Sequence, residues 1–178
     1  MSDQAKAIRI NRAPVLALWA AVVAERLGLE RSEALTFGRA LSGLTAHAKG
    51  VHLGIFEPTP ERIAQRRREL GHGDEVQVGL MGRAIPAVHT PKGLMAVSKG
   101  KPIAPASVER YLAGKFGDAL EPVRAAMAEL AGSQEPAELA RSGFRLCEQF
   151  RPAVKPGAGG WGQEGELDLE RIRALARR

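Results

Sequence analysis

Ala13-Pro14-Val15-Leu16-Ala17-Leu18-Trp19-Ala20-Ala21-Val22-Val23-Ala24 runs for twelve residues without a charge or a side-chain amide. Its spacing predicts a helix: Val15, Leu16, Trp19, Val22, Val23 and Leu27 recur at helical intervals. A helix that is apolar on every side needs partners on every side, so this one is expected to be the central post of the core. Asn11 can cap it, Pro14 is tolerated in its first turn, and Gly28 is the natural stop. After a corner at Leu29-Glu30-Arg31, Ser32-Glu33 opens a second helix that Gly50 is expected to end. Ala34, Phe37, Leu41, Leu44 and Ala48 form its apolar stripe, and Gly38, Ser42, Gly43 and Ala46 are small enough for close backbone approach.

Upstream, residues 1–11 are polar and read as frayed or extended. Lys6, Arg9 and Arg12 ahead of the apolar run imitate a signal peptide. Glu25-Arg26-Leu27-Gly28 instead continues the helix to a glycine cap, and Asp3 dilutes the positive start. The expectation is a cytoplasmic protein. No stretch reaches the roughly 18 apolar residues of a membrane span.

Downstream, Val51 to Phe56 is a short apolar stretch suited to a strand. Thr59 as cap and Pro60 as first helical residue start a third helix that runs to about Leu70, with Arg66-Arg67-Arg68 fanned around it. Glu75 to about Ile103 reads as a meander of two or three strands. Val76-Gln77-Val78-Gly79-Leu80 alternates, and Pro86 moves the next strand to an edge. Thr90-Pro91-Lys92-Gly93 and Lys99-Gly100-Lys101-Pro102 carry turn chemistry. Helices follow from Ala106, from Asp118 and from Ser133 to Phe150, before a Gly-rich break over Pro152 to Gly165. A last helix starts at Asp168, with Glu164, Glu166, Asp168 and Glu170 at its start and arginines toward its end, the polarity a helix dipole favours.

The expected fold is therefore mainly α with a small antiparallel β-hairpin or meander (α+β), six or seven helices around a central apolar helix. A chain of 178 residues is one domain or a domain with an appendage. Residues 1–151 form the helical domain with the β insert at about 75–103, and residues 152–178 form a Gly-rich loop and C-terminal helix docked on it. Aromatics are scarce at 4%, so Leu, Val, Ala and Met must build the core. The single cysteine, Cys147, excludes an internal disulfide and an all-cysteine metal site, and reads as a small buried hydrophobe.

A formal charge of +6 favours polyanionic partners, nucleic acid or an anionic membrane surface, although an Arg-, Ala- and Gly-rich composition alone produces the same balance. Ala24, Leu27-Gly28-Leu29, Ala34 and Phe37 fit the spacing of a DNA-binding helix–turn–helix, with Arg31, Ser32, Thr36 and Arg39 facing DNA. The same residues also fit an ordinary helical hairpin with a glycine cap. From Arg83 to Lys115 the chain carries six basic residues against one acid, Glu109, a net +5. Lys92, Lys99 and Lys101 fall at predicted turns, where ammonium groups can reach phosphates, or where they can discourage edge-to-edge strand pairing. Convergence of these lysines beside the start of the second helix would make one cationic patch.

Other chemistry is weaker. His47, His52, His72 and His89 lie in the first half without the i, i+4 spacing of a metalloprotease helix. Gly157-x-Gly159-x-x-Gly162 matches the dinucleotide pattern in letters but follows no clear strand and leaves too little chain for a βαβ unit. Trp161 in its glycine-rich loop either stacks on a ligand or folds the loop onto the core. The functional expectation is a small, basic, cytoplasmic, non-enzymatic protein that binds nucleic acid, DNA in the first instance, through Arg31, Ser32, Thr36, Arg39, Lys92, Lys99 and Lys101. It names no catalytic residue, no metal and no cofactor. The alternative is an interaction or scaffold protein that homo-oligomerises through its apolar helices; a third is an enzyme or ligand-binding protein with a pocket near His47, His52 and Trp161.

Overall fold

The computed structural model describes residues 8–52, 75–152 and 164–177, with the backbone alone over 46–52. The elements in order are β1 (Ile8–Asn11), α1 (Arg12–Arg26), α2 (Arg31–His52), β2 (Glu75–Leu80), β3 (Arg83–Thr90), β4 (Gly93–Ser98), β5 (Lys101–Pro102), α3 (Pro105–Phe116), one 3-10 turn (Gly117–Ala119), α4 (Leu120–Gly132), α5 (Pro136–Phe150), β6 (Glu164–Leu167) and α6 (Leu169–Ala176). Helix and sheet are mixed. The strands make two small antiparallel sheets, β1–β6 and β2–β3–β4–β5. The predicted third helix, with Arg66–Arg68, lies outside the described residues, as do Trp161 and the Gly157–Gly162 motif.

Within α1 every residue from Pro14 to Ala24 is buried. Trp19 has no exposed surface; its indole N–H donates to the Gly143 carbonyl at 2.9 Å, and its ring meets Phe150 edge to face at 5.3 Å. The pairing satisfies the one polar atom of a large apolar side chain, which a buried indole requires. The apolar run from Pro14 to Ala24 is thus covered by its own chain.

Gly28 stops the first helix as its position predicts. Its φ is +114°, its N–H bonds Glu25 O, and the Leu29 N–H bonds Ala24 O. That bond pair is a Schellman cap, which places glycine where a side chain would be strained. The chain then turns back, and α2 lies along α1 in antiparallel fashion. A Cβ on Gly38 would stand 2.3 Å from Ala17 O, and Ser42 Oγ donates to Ala13 O. Contact therefore extends from the turn to the first turn of α1 and to Ser42 of α2, whereas the helices of a DNA-binding helix–turn–helix cross at roughly 90–120° and touch beside their turn. The pair packs side by side with a glycine cap at the turn. α2 also passes Gly50 and ends at His52; 51–52 is helical, not strand.

The larger sheet has four strands where two or three were expected. The added strand is β5, where only a turn was expected, and Met81-Gly82, with φ of +52° and +83°, makes the turn between β2 and β3. Both termini differ too. Residues 8–11 are not frayed: β1 pairs with β6, Ile8 with Leu167 and Asn11 with Glu164. Gly165 and Leu167 are buried while Glu164 and Glu166 are exposed, so the acids expected at a helix start belong to a strand of period 2. The helix begins after them, with Asp168 Oδ1 accepting from the Glu170 and Arg171 N–H groups. Ile172 and Leu175 of α6 are buried, and α6 packs on α4.

Candidate nucleic-acid interface

A strand exposes alternate backbone groups on its two edges, and those on an open edge need partners. β5 is only two residues long and pairs only Val97 and Ser98, leaving most of one edge of β4 for α2 to cover. Glu33 Oε2 accepts from the Leu94 N–H at 2.7 Å, and Thr36 Oγ1 accepts from the Ala96 N–H at 3.0 Å while donating to Glu33 O. The other carboxylate oxygen, Glu33 Oε1, accepts from the Glu30 N–H and caps the helix. One turn of α2 is thereby laced along β4, and the two run in the same direction.

This lacing settles where the predicted interface residues go. Thr36 has no exposed surface and its hydroxyl is committed to β4, so it does not face outward as expected. Ala34 to Gly38 and Ala40 to Ser42 are also buried, so α2 presents no recognition face along this length. Arg31 and Ser32, in the first turn, are exposed. The turn carrying Lys92 is held by Thr90, whose Oγ1 donates to Gly93 O and accepts from the Lys92 N–H. Gly93 sits against Glu33, where an added Cβ would stand 2.9 Å from Oε2. Arg31, Ser32 and Lys92 therefore share one corner.

Lys99 and Lys101 do not join them. They flank the turn at the far end of β4, and a strand of six residues spans about 20 Å. The expected single patch is two cationic corners. Arg39, one turn beyond Thr36, lies with its guanidinium carbon 4.4 Å over the ring of Tyr111 of α3. Burial pushes the Tyr111 phenol above its ordinary range, against the opposing pull of Arg39. Tyr111 went unremarked in the sequence because its partner is seventy residues away; a lone tyrosine following Arg110 was the only local cue.

Among the described residues the ion pairs are Arg9–Glu166, Arg124–Glu121, Arg141–Glu138 and Arg173–Glu170, all on β1, β6, α4, α5 and α6. Arg31, Arg39, Arg83, Lys92, Lys99, Lys101, Arg110 and Lys115 take part in none of these pairs. Arg83 instead stands 5.8 Å over the Phe144 ring. Such a surface attracts anions, with the exposed carboxylates Glu30 and Glu109 lying beside Arg31 and Arg110.

Among the described residues no three His, Cys, Asp or Glu side chains gather as a metal site. Cys147 is buried, and burial above all pushes its thiol up to about 12, so no thiolate forms near neutrality. His89 is exposed on β3, and the other histidine side chains lie outside the described ones. Among the described residues no helix is long and apolar enough to cross a membrane. Comparison with protein-family models, curated proteins and solved structures found no match.

Proposed function

We propose that the protein is a non-enzymatic nucleic-acid-binding protein that grips the phosphate backbone at the two ends of β4. The observation that supports this reading is the set of cations on α2, the larger sheet and α3 that take part in none of the ion pairs among the described residues. Arg31, Ser32 and Lys92 hold one end, Lys99 and Lys101 the other, and Arg39 is braced between them by Tyr111. A separation of about 20 Å corresponds to about six base-pair rises of duplex DNA. Lysines at turn tips contact phosphates and carry no base readout, so binding is of low sequence selectivity. The reading includes a cytoplasmic location and a body of six or seven helices with α1 as central post.

Titration of a labelled DNA duplex and a labelled RNA hairpin against salt tests it. Affinity should fall linearly in log–log form, with a slope near −0.9 for each phosphate neutralised. Lys92→Gln and the pair Lys99→Gln with Lys101→Gln should each flatten the slope by about one per lysine removed, and the triple variant by their sum. Absent binding at low salt, or slopes that ignore all three lysines, overturns the proposal.

A further inference from the structure

Between the start of α1 and the end of α5 lies a small open cleft of about 40 Å³, lined by Arg12, Leu16, Thr45, Phe144, Cys147, Glu148 and Arg151. Two guanidiniums face one small space. Neither forms an ion pair among the described residues, although the exposed Glu148 carboxylate borders the same cleft. Arg12 is anchored by its Nε, which donates to Pro152 O at 2.9 Å. That bond fixes the fork and leaves its terminal N–H groups for another acceptor. The first turn of α1 holds no acidic residue either. Burial, and then Arg151, lower the pKa of Arg12, the mark of a cation lacking compensation. The rest of the wall is apolar: Leu16, Phe144 and the Cys147 thiol. Thr45 spends its hydroxyl proton on Leu41 O and has only an acceptor to offer.

From this arrangement we infer that the cleft binds a small organic oxyanion, its charged end between Arg12 and Arg151 and its apolar body against Leu16 and Phe144. Two guanidinium forks match the planar or tetrahedral oxygens of a carboxylate or a phosphomonoester, and binding joins the two like charges through a shared counter-charge. This site is separate from the lysines of the sheet.

The test uses the full chain with three probes of one shape: phenyl phosphate, benzoate and neutral benzyl alcohol, read by calorimetry and thermal shift. Saturable binding of phenyl phosphate, of benzoate or of both, with benzyl alcohol at least tenfold weaker, supports the site, and the better anion names its class. Arg151→Gln should weaken the anion at least tenfold while leaving the unliganded melting temperature unchanged or higher, since a repulsion is removed. Arg12→Gln should weaken it as much but also lose the Pro152 bond, so Arg151→Gln is the decisive variant. Lys99→Gln should leave probe binding unaltered, which separates this site from the nucleic-acid surface. Benzyl alcohol binding as well as the anions, no saturable binding, or Arg151→Gln binding like wild type overturns the inference.

Discussion

The two hairpin turns Met81-Gly82 and Lys99-Gly100 have nearly the same backbone and opposite surroundings. Their φ values are +52° and +83° in the first and +52° and +79° in the second. Positive φ at both central residues is the mark of the type I′ turn that suits twisted hairpins, and asparagine or glycine fits its first position best. Neither occupies it here. Met81 is 5% exposed and presses on Gly143 of α5, where an added Cβ would stand 2.9 Å from its Cγ. Lys99 is exposed and has no ion-pair or hydrogen-bond partner among the described residues. A left-handed residue costs roughly 1–2 kcal/mol. At Met81 the core offsets that cost, and at Lys99 nothing within the fold does.

If this contrast is right, Met81→Gly relieves strain yet removes a buried side chain, and the second effect wins. Truncating a core methionine costs about 2–5 kcal/mol, so the variant should lose about 2 kcal/mol net in a urea titration. Equal or greater stability would show that the core does not hold this turn. Gly143→Ala attacks the same seat from the helix side and should cost about 1–3 kcal/mol by overpacking. In the Met81→Gly background that cost should fall to near zero, and a double-mutant cycle reads the coupling.

Alkali should act on the docked side. Cys147 sits one helical turn beyond Gly143, and its thiol is raised from 9.0 to about 12. A folded pKa above the unfolded one means the folded state holds the proton more tightly. That contribution is complete below pH 9 and is lost as pH climbs toward 12. Between those limits Cys147→Ala should lose less stability than wild type, a difference that chemical denaturation at stepped pH reads directly. The smallest effect belongs to the exposed turn. Lys99→Asn should gain about 0.5–1 kcal/mol, since asparagine tolerates the left-handed region, and should flatten the salt dependence of nucleic-acid binding by about one. A loss of stability there would end the comparison.

Much of the fold is legible in the sequence where neighbours along the chain decide it. The Gly28 stop, the small residues between the first two helices, the meander and the Lys99-Gly100 turn all follow from local pattern. Met81-Gly82 escaped because methionine is no turn former; a helix sixty residues away fixes it. β1 and β6 escaped for the same reason, each too short to stabilise itself and paired across almost the whole chain. Arg31 and Lys92 come to one corner because Glu33 bonds Leu94, a contact across 61 residues that no spacing rule supplies. Thr36 reads as a polar, outward residue, yet an open strand edge buried it.

Glu33 has a consequence for how the molecule assembles. One of its oxygens closes the beginning of a helix and the other closes the margin of a sheet, so neither margin is complete until the two have met. Local melting of one should release the other, and the amide protons of Glu30 and Leu94 should exchange with solvent at a common rate. Removing this single carboxylate should loosen that tie, leaving the Thr36 bond to Ala96 to hold the two together.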